Sequence, residues 1–486
     1  MQYRNPILYM DLSDPDVIRV GEDFYMTASS FTCVPGLPVL HSRDLAHWEI
    51  IGYAADRLPH PRYDRPAHGC GIWAPSIRWH RGLFYIYACM PDEGLYAWTA
   101  ENPAGPWECR LLKAVTGWID PCPLFAEDGV WLVHGFAASR IGINNILYIH
   151  RLSDDGMSVL DKGRRVYDGA EHGDVTVEGP KIYLRDGVYW ILCPAGGVKT
   201  GYQLALRSRS LYGPYERKVV LEQGSTPVNG PHQGAWISDG HGKDWFIHFQ
   251  DVGAYGRVPH LQPLAWTDGW PVIGDQGTPV PEGDTGLPAC PLSIPLGDDF
   301  AREIGPVWQW QANPDPAWYT LLRPGLRLHA APAARLYEAG QFLSRLMTCR
   351  DFDMDILFSV PRLGPAGAGA GVMGTAYTYA VLREGRIRLV RGGAEEAERE
   401  LLSVPYEKAE LTLRLHVRDG SVSFLSGPDD RSLSPLGGAF SMAPGGWTGA
   451  RPGFFCLGSE GYADVRSVRI TEYPQHDQRP ARSISV

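Results

Sequence analysis

A strand pair introduced by a proline recurs five times within the first 250 residues of the chain. Each copy has a proline, a strand, a turn with glycine or aspartate, and a second strand rich in aromatic residues. The copies read "DPDVIRVGEDFYMTAS", "APSIRWHRGLFYIYAC", "DPCPLFAEDGVWLVHG", "EGPKIYLRDGVYWILC" and "GPHQGAWISDGHGKDWFIHF". The prolines recur at intervals of roughly 50 residues, which leaves room for about four strands per copy. Such an internal repeat constrains the fold more than any other feature of the sequence.

Four-stranded units that repeat without intervening helices are typical of propeller blades. We therefore predict an all-β chain with a five-bladed β-propeller over residues 1–280. The alternative, a large sandwich, would not reproduce the same spacing from proline to aromatic residues. Residues 281–297 are rich in proline and glycine and are expected to form a linker. Alternating strand patterns then predict a jelly-roll-like β-sandwich over residues 298–474, followed by a tail over residues 475–486.

Composition narrows the range of partners. The net charge is −10 without any basic run, which argues against nucleic acid or an anionic membrane. No run of about 18 apolar residues occurs, so no membrane span is expected. The nine cysteines are irregularly spaced, which favours reduced thiols over a disulfide framework. Without a secretory pattern at the N-terminus, we expect a cytoplasmic protein with a small neutral ligand; a homo-oligomer stays open.

The repeat aligns acidic residues at one structural position. Asp14 precedes the proline of the first copy and Asp120 that of the third, whereas the fourth copy displaces its acid by one residue, to Glu178. The innermost strands of a propeller run beside the central axis, so equivalent residues face one pocket. An acid before a proline is also a common turn starter. Three acids in one partly desolvated cavity, however, repel one another at a cost that structure alone does not require.

Six motifs in this order resemble glycoside hydrolase family 43: "NPILYMDLSDPDVIRVGEDFYM", "GIWAP", "GWIDPCPLF", "VEGPKIY", "GPHQG" and "GWPVI". The C-terminal half resembles the sandwich of the β-xylosidase branch of this family. The resemblance implies that Asp14 is the general base, Glu178 the general acid, and Asp120 the carboxylate that tunes the acid. Inverting glycoside hydrolysis needs such a pair, with a protonated acid and an ionised base. Asp16 is the alternative to Asp14 as the base, since both lie on one face of the strand.

The resemblance also implies residues that contact the substrate. Trp73, in "GIWAPS", matches a tryptophan that faces the sugar, and Phe31 forms a further apolar wall. Arg257, in "YGRVPHL", matches an arginine that contacts the substrate. Trp447, in "APGGWTGARPGFF", is the candidate for a residue of the sandwich that closes the pocket. Each also has a plainer interpretation, as a core ring for the aromatic residues and as a surface cation for the arginine.

No cofactor is expected to be required, but the resemblance leaves a metal site open. His232, in "GPHQG", falls on the propeller axis by the repeat alignment. In related proteins the equivalent histidine lies near a central water or a calcium ion. Calcium prefers oxygen ligands, and a single histidine is more often a hydrogen-bonding residue than a metal ligand. We therefore keep Ca²⁺ near His232 as an expectation to be compared with the structure.

The function implied by the resemblance is exo-acting, inverting release of terminal β-D-xylose or α-L-arabinofuranose from small xylo-oligosaccharides. One alternative is a carbohydrate-binding propeller without catalysis, for which the aromatic residues alone would suffice. Another is a five-bladed retaining fructosidase, which would need a motif like Asn-Asp-Pro-Asn where this chain has "SDPD". A scaffold propeller is the third alternative, and it would not need clustered acids.

Overall fold

The chain forms two compact units in the computed structural model, which describes residues 1–360 and 362–473. The first unit comprises Met1–Ile294, Pro306–Asp315 and Gly445–Gly449, and the second contains Pro295–Gly305, Pro316–Pro444 and the described residues from Ala450 onward. The proposed tail, residues 475–486, lies outside the described residues. Within the described ranges, no helix is both long enough and apolar enough to cross a membrane.

The first unit is a five-bladed β-propeller, and the predicted fold class is confirmed. Each blade is a four-stranded antiparallel sheet whose strands follow chain order. After β1 (Gln2–Arg4), blade one contains β2 (Asp16–Val20), β3 (Asp23–Thr27), β4 (Gly36–Ser42) and β5 (Glu49–Ala55), and blade two contains β6 (Ser76–His80), β7 (Leu83–Met90), β8 (Gly94–Ala100) and β9 (Glu108–Ala114). Blade three contains β10 (Trp118–Ala126), β11 (Gly129–Phe136), β12 (Ile146–Leu152) and β13 (Arg164–Asp168). Blade four contains β14 (Lys181–Arg185), β15 (Val188–Ala195), β16 (Tyr202–Ser208) and β17 (Glu216–Glu222), and blade five contains β18 (His232–Ser238), β19 (Asp244–Asp251), β20 (Arg257–Thr267) and β21 (Trp270–Ile273).

The remaining elements of the first unit are short. The strands are β22 (Glu282–Asp284) and β23 (Trp308–Trp310), the α-helices are α1 (Ala138–Ile141) and α2 (Gly197–Thr200), and the 3₁₀ helices are Pro61–Asp64, Gly169–His172 and Gly253–Tyr255. The segment expected to be an irregular linker thus contains β22, which pairs antiparallel with β1. Strand pairing with the N-terminus gives this segment a structural role that its proline and glycine content does not reveal.

Hydrophobic clusters fill the spaces between successive blades. Ile77 and Ile86 of blade two pack with Val39 of blade one, and Val220 of blade four packs with Phe246 of blade five. Similar clusters lie between blades two and three and between blades three and four. Blade five meets blade one where Arg19 Nε donates to the carbonyl oxygen of Ser238 at 3.2 Å. The core therefore surrounds the central axis, and the polar ends of the innermost strands are left to form a site.

The second unit is a β-sandwich. The strands are β24 (Tyr319–Leu321), β25 (Leu326–His329), β26 (Leu343–Arg345), β27 (Phe352–Ser359), β28 (Gly367–Met373), β29 (Ala376–Arg383), β30 (Arg386–Gly393), β31 (Arg399–Pro405), β32 (Glu410–Arg418), β33 (Ser421–Gly427), β34 (Ser434–Ser441), β35 (Arg451–Leu457) and β36 (Tyr462–Glu472), with 3₁₀ helices at Pro316–Trp318 and Leu336–Glu338. One sheet contains β26-β35-β28-β29-β30-β31, and the other has the order β24-β25-β36-β27-β32-β33-β34. Alternate residues of β32, such as Leu411, Leu413 and Leu415, are fully buried, as period-two patterning requires.

Blades three and five each bury a pair of histidines. Nε2 of His150 lies 3.1 Å from Nε2 of His134, and the rings of His248 and His260 are 5.4 Å apart. Burial lowers the pKa of His134 to about 3 and that of His248 to about 4. It also lowers the pKa of His150, and it lowers that of His260 well below 6.5. The folded protein therefore keeps these rings neutral, whereas the unfolded chain protonates them near pH 6.5, so the free energy of unfolding falls as the pH drops below that value.

Replacing one of these histidines should reduce the acid sensitivity of the protein. Neither ring nitrogen of His260 has a hydrogen-bond partner among the described residues, so His260→Leu removes a protonation site without breaking a hydrogen bond. At pH 5 the substitution should recover about 2 kcal/mol of the unfolding free energy that the wild type loses between pH 7 and pH 5. Calorimetric melting at both pH values measures this difference. His241→Leu, at an exposed histidine, is the control, and equal acid sensitivity of His260→Leu and wild type would contradict the explanation.

Candidate active site

The backbone before each repeat proline has an unusual conformation. Four of the five residues at this position have positive φ, namely Asp14 (57°), Asp120 (57°), Gly179 (55°) and Gly230 (38°). Positive φ is uncommon outside glycine, and aspartate is one of the few residues that tolerates it. The register of β10 with β11 also shifts between Ile119 and Cys122, which places Asp120 on a bulge. Bulges and left-handed residues redirect side chains at the ends of strands, and here they direct the side chains of two blades.

Asp120 is the centre of the acidic cluster. Its side chain is buried, and its Oδ2 accepts a hydrogen bond of 2.7 Å from the backbone N–H of Gly179. Burial raises the pKa of Asp120 well above its usual range, and the charges of Glu178 and Asp14 raise it further, against the opposing effects of the Gly179 N–H and Lys181. The three acids aligned by the repeat therefore act on one another electrostatically, although they come from three different blades.

Gly179 lets blades four and five approach each other closely. A Cβ atom at this position would lie 2.7 Å from Cγ of Gln233, closer than real Cβ atoms approach. The positive φ of Gly179 is also a conformation that side chains disfavour. A glycine therefore occupies the position that holds aspartate in blades one and three, and the acid of blade four moves to the preceding residue, Glu178.

Glu178 and His232 form a pair between blades four and five. Oε1 of Glu178 lies 2.9 Å from Nε2 of His232. The glutamate side chain is 26% exposed, whereas the histidine is 1% exposed. The buried ring thus holds one oxygen of a carboxyl group that solvent or a ligand can still reach.

Asp14 is held by two donors. The hydroxyl of Ser29 donates to Oδ2 at 2.5 Å, and Nη1 of Arg257 lies 3.5 Å from Oδ1. Arg257 is in turn positioned by Asp11, whose Oδ1 accepts a hydrogen bond from the Arg257 backbone N–H at 2.9 Å. The other carboxylate oxygen of Asp11 accepts from the Gly449 N–H at 2.7 Å. Asp11 therefore links the strand of Arg257 to residues 445–449, which include Trp447 and belong to the first unit.

Aromatic rings surround Trp73. Its ring centroid lies 6.4 Å from that of Phe31 and 5.9 Å from that of Trp447, the latter in an edge-to-face arrangement. The guanidinium of Arg140 lies 4.9 Å from the Trp73 ring centroid, and Asp92 and the carbonyl oxygen of Gly69 hold it in place.

Trp447 is 49% exposed, and its ring centroid lies 6.0 Å from the Arg257 guanidinium. The structure thus brings Phe31, Trp73 and Trp447 together, and Arg257 joins this group to Asp14.

Asp16, the alternative base, has a different environment. Its side chain is fully buried, and Oδ2 accepts hydrogen bonds from the Ile77 N–H at 2.7 Å and from Nη1 of Arg78 at 2.6 Å. Arg78 also donates to Sγ of Cys122 at 2.8 Å. The Asp16 carboxylate is thus already engaged by two donors of blade two. It is a weaker candidate than Asp14 for the activation of water.

The surroundings of His232 do not fit a calcium ion. Calcium takes six to eight oxygen ligands, whereas Nε2 of His232 faces a single carboxylate and the ring packs 5.7 Å from Phe249. The described residues contain no group of three or more His, Cys, Asp or Glu side chains placed to hold a metal. Nδ1 of His232 has no hydrogen-bond partner among them, but one imidazole nitrogen does not make an oxygen cage.

Sequence reasoning missed four polar residues of the site: Asp11, Ser29, Arg140 and Lys181. The repeat contained a signal for Lys181 alone, because this residue follows the fourth proline as Asp16 follows the first. Asp11 and Arg140 lie outside the repeated strand pair, and Ser29 ends the first copy, whereas none of the other copies ends on serine.

Comparisons with known proteins identify the family. Residues 3–271 match the family model described as "Glycosyl hydrolases family 43", and residues 297–471 match "Beta xylosidase C-terminal Concanavalin A-like domain". A "Putative beta-xylosidase" from Xylanibacter ruminicola is 40% identical over 474 residues, covering 94% of this chain and 86% of that protein. A "Non-reducing end alpha-L-arabinofuranosidase BoGH43B" from Bacteroides ovatus is 32% identical over 362 residues, covering 67% of this chain and 64% of that protein.

A solved structure has the same architecture. The GH43 BlXynB protein from Bacillus licheniformis matches with a TM-score of 0.87 at 25% sequence identity, over 97% of this chain and 100% of that chain. The family model spans more than half of the sequence, and the matched residues 3–271 include Asp14, Asp120 and Glu178. The chain therefore belongs to glycosyl hydrolases family 43 and is a glycoside hydrolase.

Proposed function

We propose that this glycoside hydrolase is exo-acting and inverting, and that it releases terminal β-D-xylose, α-L-arabinofuranose or both from xylo-oligosaccharides. The observation that carries the proposal is the position of Asp120, whose buried carboxyl accepts a hydrogen bond from the N–H of the residue after Glu178 and whose pKa is raised by burial and by the charges of Glu178 and Asp14. Relatives named for xylosidase and arabinofuranosidase activity support the choice of pentoses. Inversion requires an acid and a base on opposite faces of the sugar, with space for a water molecule between them.

Glu178 is the proposed general acid. Three carboxylates in one cluster repel one another, so the cluster retains a proton rather than ionising completely. The Gly179 N–H and the Lys181 ammonium oppose the rise in the pKa of Asp120, and the hydrogen bond from Gly179 holds one oxygen of Asp120 in the interior. The Glu178 side chain is the more accessible of the two. It can therefore reach the oxygen of the leaving group while Asp120 remains behind it.

Asp14 is the proposed general base. Ser29 and Arg257 hold its two oxygens, which fixes the direction from which the carboxylate takes a proton from water. Catalysis by positioned groups depends on such fixed geometry. The polar contacts of Asp14 also distinguish its role from that of Glu178, since a base must stay ionised while the acid is protonated.

The aromatic group supports action at a chain end. Phe31, Trp73 and Trp447 lie close to one another, and Arg257 connects this group to Asp14. Sugar rings pack well against flat aromatic surfaces. Trp447 comes from a segment distant in sequence from the blades, so it limits the length of chain that the pocket accepts. A pocket of this kind favours one terminal sugar over an internal position of a polymer.

Removing either catalytic carboxyl group should abolish most of the activity. Asp14→Asn and Glu178→Gln are each expected to lower kcat by at least about a hundredfold on xylobiose, because proton transfer by a positioned group contributes that much. On a dinitrophenyl xyloside, which needs no protonation of its leaving group, Glu178→Gln should retain far more activity than Asp14→Asn. Asp186→Asn, at a side chain 88% exposed, is the control. Rates close to wild type in either catalytic variant would refute the assignment.

The stereochemical course and the sugar preference can be read in one experiment. Proton NMR during hydrolysis of an aryl β-D-xylopyranoside should show α-xylose as the first product, since a single displacement inverts the anomeric carbon. Parallel runs with an aryl α-L-arabinofuranoside give the ratio of the two activities. First-formed β-xylose would rule out inversion, and absence of hydrolysis of both glycosides would reject the proposed substrates.

Trp447 should contribute to binding more than to chemistry. Trp447→Ala removes a ring that packs against Trp73, and about 1.4 kcal/mol of lost contact should raise KM about tenfold while kcat changes less than about twofold. Trp79→Ala is a matched control, because Trp79 is 48% exposed and Trp447 is 49% exposed. Equal KM values for the two variants would contradict a role for Trp447 in the pocket.

A further inference from the structure

Asp11 is a buried carboxylate that joins two distant segments of the chain. It is 8% exposed, and its oxygens accept hydrogen bonds from the backbone N–H groups of Arg257 at 2.9 Å and of Gly449 at 2.7 Å. The first donor begins β20, and the second belongs to residues 445–449, a segment of the first unit that lies between β34 and β35 in the chain. Hydrogen bonds to a carboxylate are stronger than those between neutral groups. Asp11 therefore holds the two segments together.

Two glycines allow these segments to meet closely at Asp11. A Cβ atom on Gly449 would lie 2.8 Å from the backbone nitrogen of Gly256, and a Cβ atom on Gly256 would overlap with the carboxylate of Asp11. The N–H of Leu12 also donates to the carbonyl oxygen of Arg257 at 2.9 Å. The junction is thus built from close backbone contacts around the carboxylate, and it has no room for a side chain at either glycine.

The side chains of the two segments meet as well. Nη1 of Arg257 lies 3.5 Å from Oδ1 of Asp14, and the Arg257 guanidinium lies 6.0 Å from the ring centroid of Trp447. Trp447 is two residues before Gly449. The residues that Asp11 holds through their backbones are therefore in contact with the proposed base on one side and with the aromatic group on the other.

The backbone of Trp447 requires support from its surroundings. Its φ is 72°, which is an outlier for a bulky residue and persists only where neighbouring structure holds it. About half of the side chain is exposed, so burial of the ring provides only part of this support. The hydrogen bond from Gly449 to Asp11 fixes the chain just after Trp447 and supplies a further part.

We propose that Asp11 is a positioning residue for the sugar-binding pocket, which holds Trp447 beside Trp73 and Arg257 and thereby sets how tightly the terminal sugar binds. This inference rests on the proposed function for its kinetic consequences. Asp11 does not contact the reacting atoms, and the Leu12 N–H still holds the Arg257 backbone when Asp11 is replaced. Loss of Asp11 should therefore affect the pocket wall formed by Trp447 more than the proposed base.

Kinetics of single and double variants measure whether Asp11 and Trp447 act together. Asp11→Ala should raise KM on xylobiose at least about fivefold while kcat changes less than about twofold, since the lost interaction is one of binding. Asp11→Asn keeps one of the two acceptors and should raise KM less. In the Trp447→Ala background, Asp11→Ala should raise KM less than about twofold further, because residues that act as a unit are not additive. Multiplied effects on KM, an unchanged KM in Asp11→Ala, or a loss of kcat alone would overturn this role.

A substitution on the other side of the junction leaves Asp11 in place. Gly449→Ala introduces the Cβ atom that the backbone of Gly256 excludes, so it should displace the segment and raise KM as Asp11→Ala does. Gly438→Ala is the matched control, because a Cβ atom there meets no atom within 4 Å. Asp154→Ala, at a side chain 92% exposed, is the control for the loss of a carboxylate. A wild-type KM in Gly449→Ala would contradict the proposal.

Hydrogen exchange measured by mass spectrometry tests the role of Asp11 independently of activity. In ligand-free Asp11→Ala, peptides that cover residues 445–449 should exchange at least about tenfold faster than in the wild type, because a lost hydrogen bond allows local opening. Peptides from β11 should exchange as in the wild type, which identifies a folded variant; if Asp11→Ala does not fold, the same measurement is made on Gly449→Ala. Equal exchange of residues 445–449 in variant and wild type would reject the role of Asp11. Lack of wild-type hydrolysis of every pentoside would reject the proposed function, and the exchange measurement would still decide whether Asp11 holds the segment.

Discussion

Mutual repulsion among buried carboxylates is the constraint on which the site depends. Asp14, Asp120 and Glu178 come from three blades, and burial raises the pKa of the central acid well above its usual range. An arrangement of this kind destabilises the folded chain unless donors, cations or a retained proton compensate it. The surrounding residues supply each of these: the Gly179 N–H for Asp120, Ser29 and Arg257 for Asp14, and His232 for Glu178.

The same constraint explains why the unusual backbone lies at the ends of the innermost strands. Positive φ at Asp14 and Asp120, and a bulge in β10, turn these residues out of the regular pleat. Conformations of this type cost free energy locally and persist only where the surrounding structure holds them. Here the hydrophobic clusters between blades hold the strands in place. The residues with unfavourable φ therefore lie at the ends of loops, where the acids need an orientation that a regular strand cannot give.

How much the sequence could predict depended on whether a residue belonged to the repeat. The repeat was sufficient to predict the propeller and to group Asp14, Asp120 and Glu178, because symmetry about an axis converts sequence position into spatial position. It could not predict Asp11 or Arg140, which act through loops specific to one blade. Nor could it predict that β22 pairs with β1, since a three-residue strand leaves no periodic pattern. The grouping of residues 445–449 with the propeller likewise depends on tertiary contacts alone.

Residues that follow the repeat prolines make polar contacts between the innermost strands of different blades. Asp16 and Lys181 occupy this position in blades one and four, and Ser76, Cys122 and His232 occupy it in the others. Asp16 is paired with Arg78 of the next blade, while Lys181 donates to two neutral acceptors of blade two. These contacts therefore fix the ends of the innermost strands, which follow Asp14, Asp120 and Glu178 directly in the sequence.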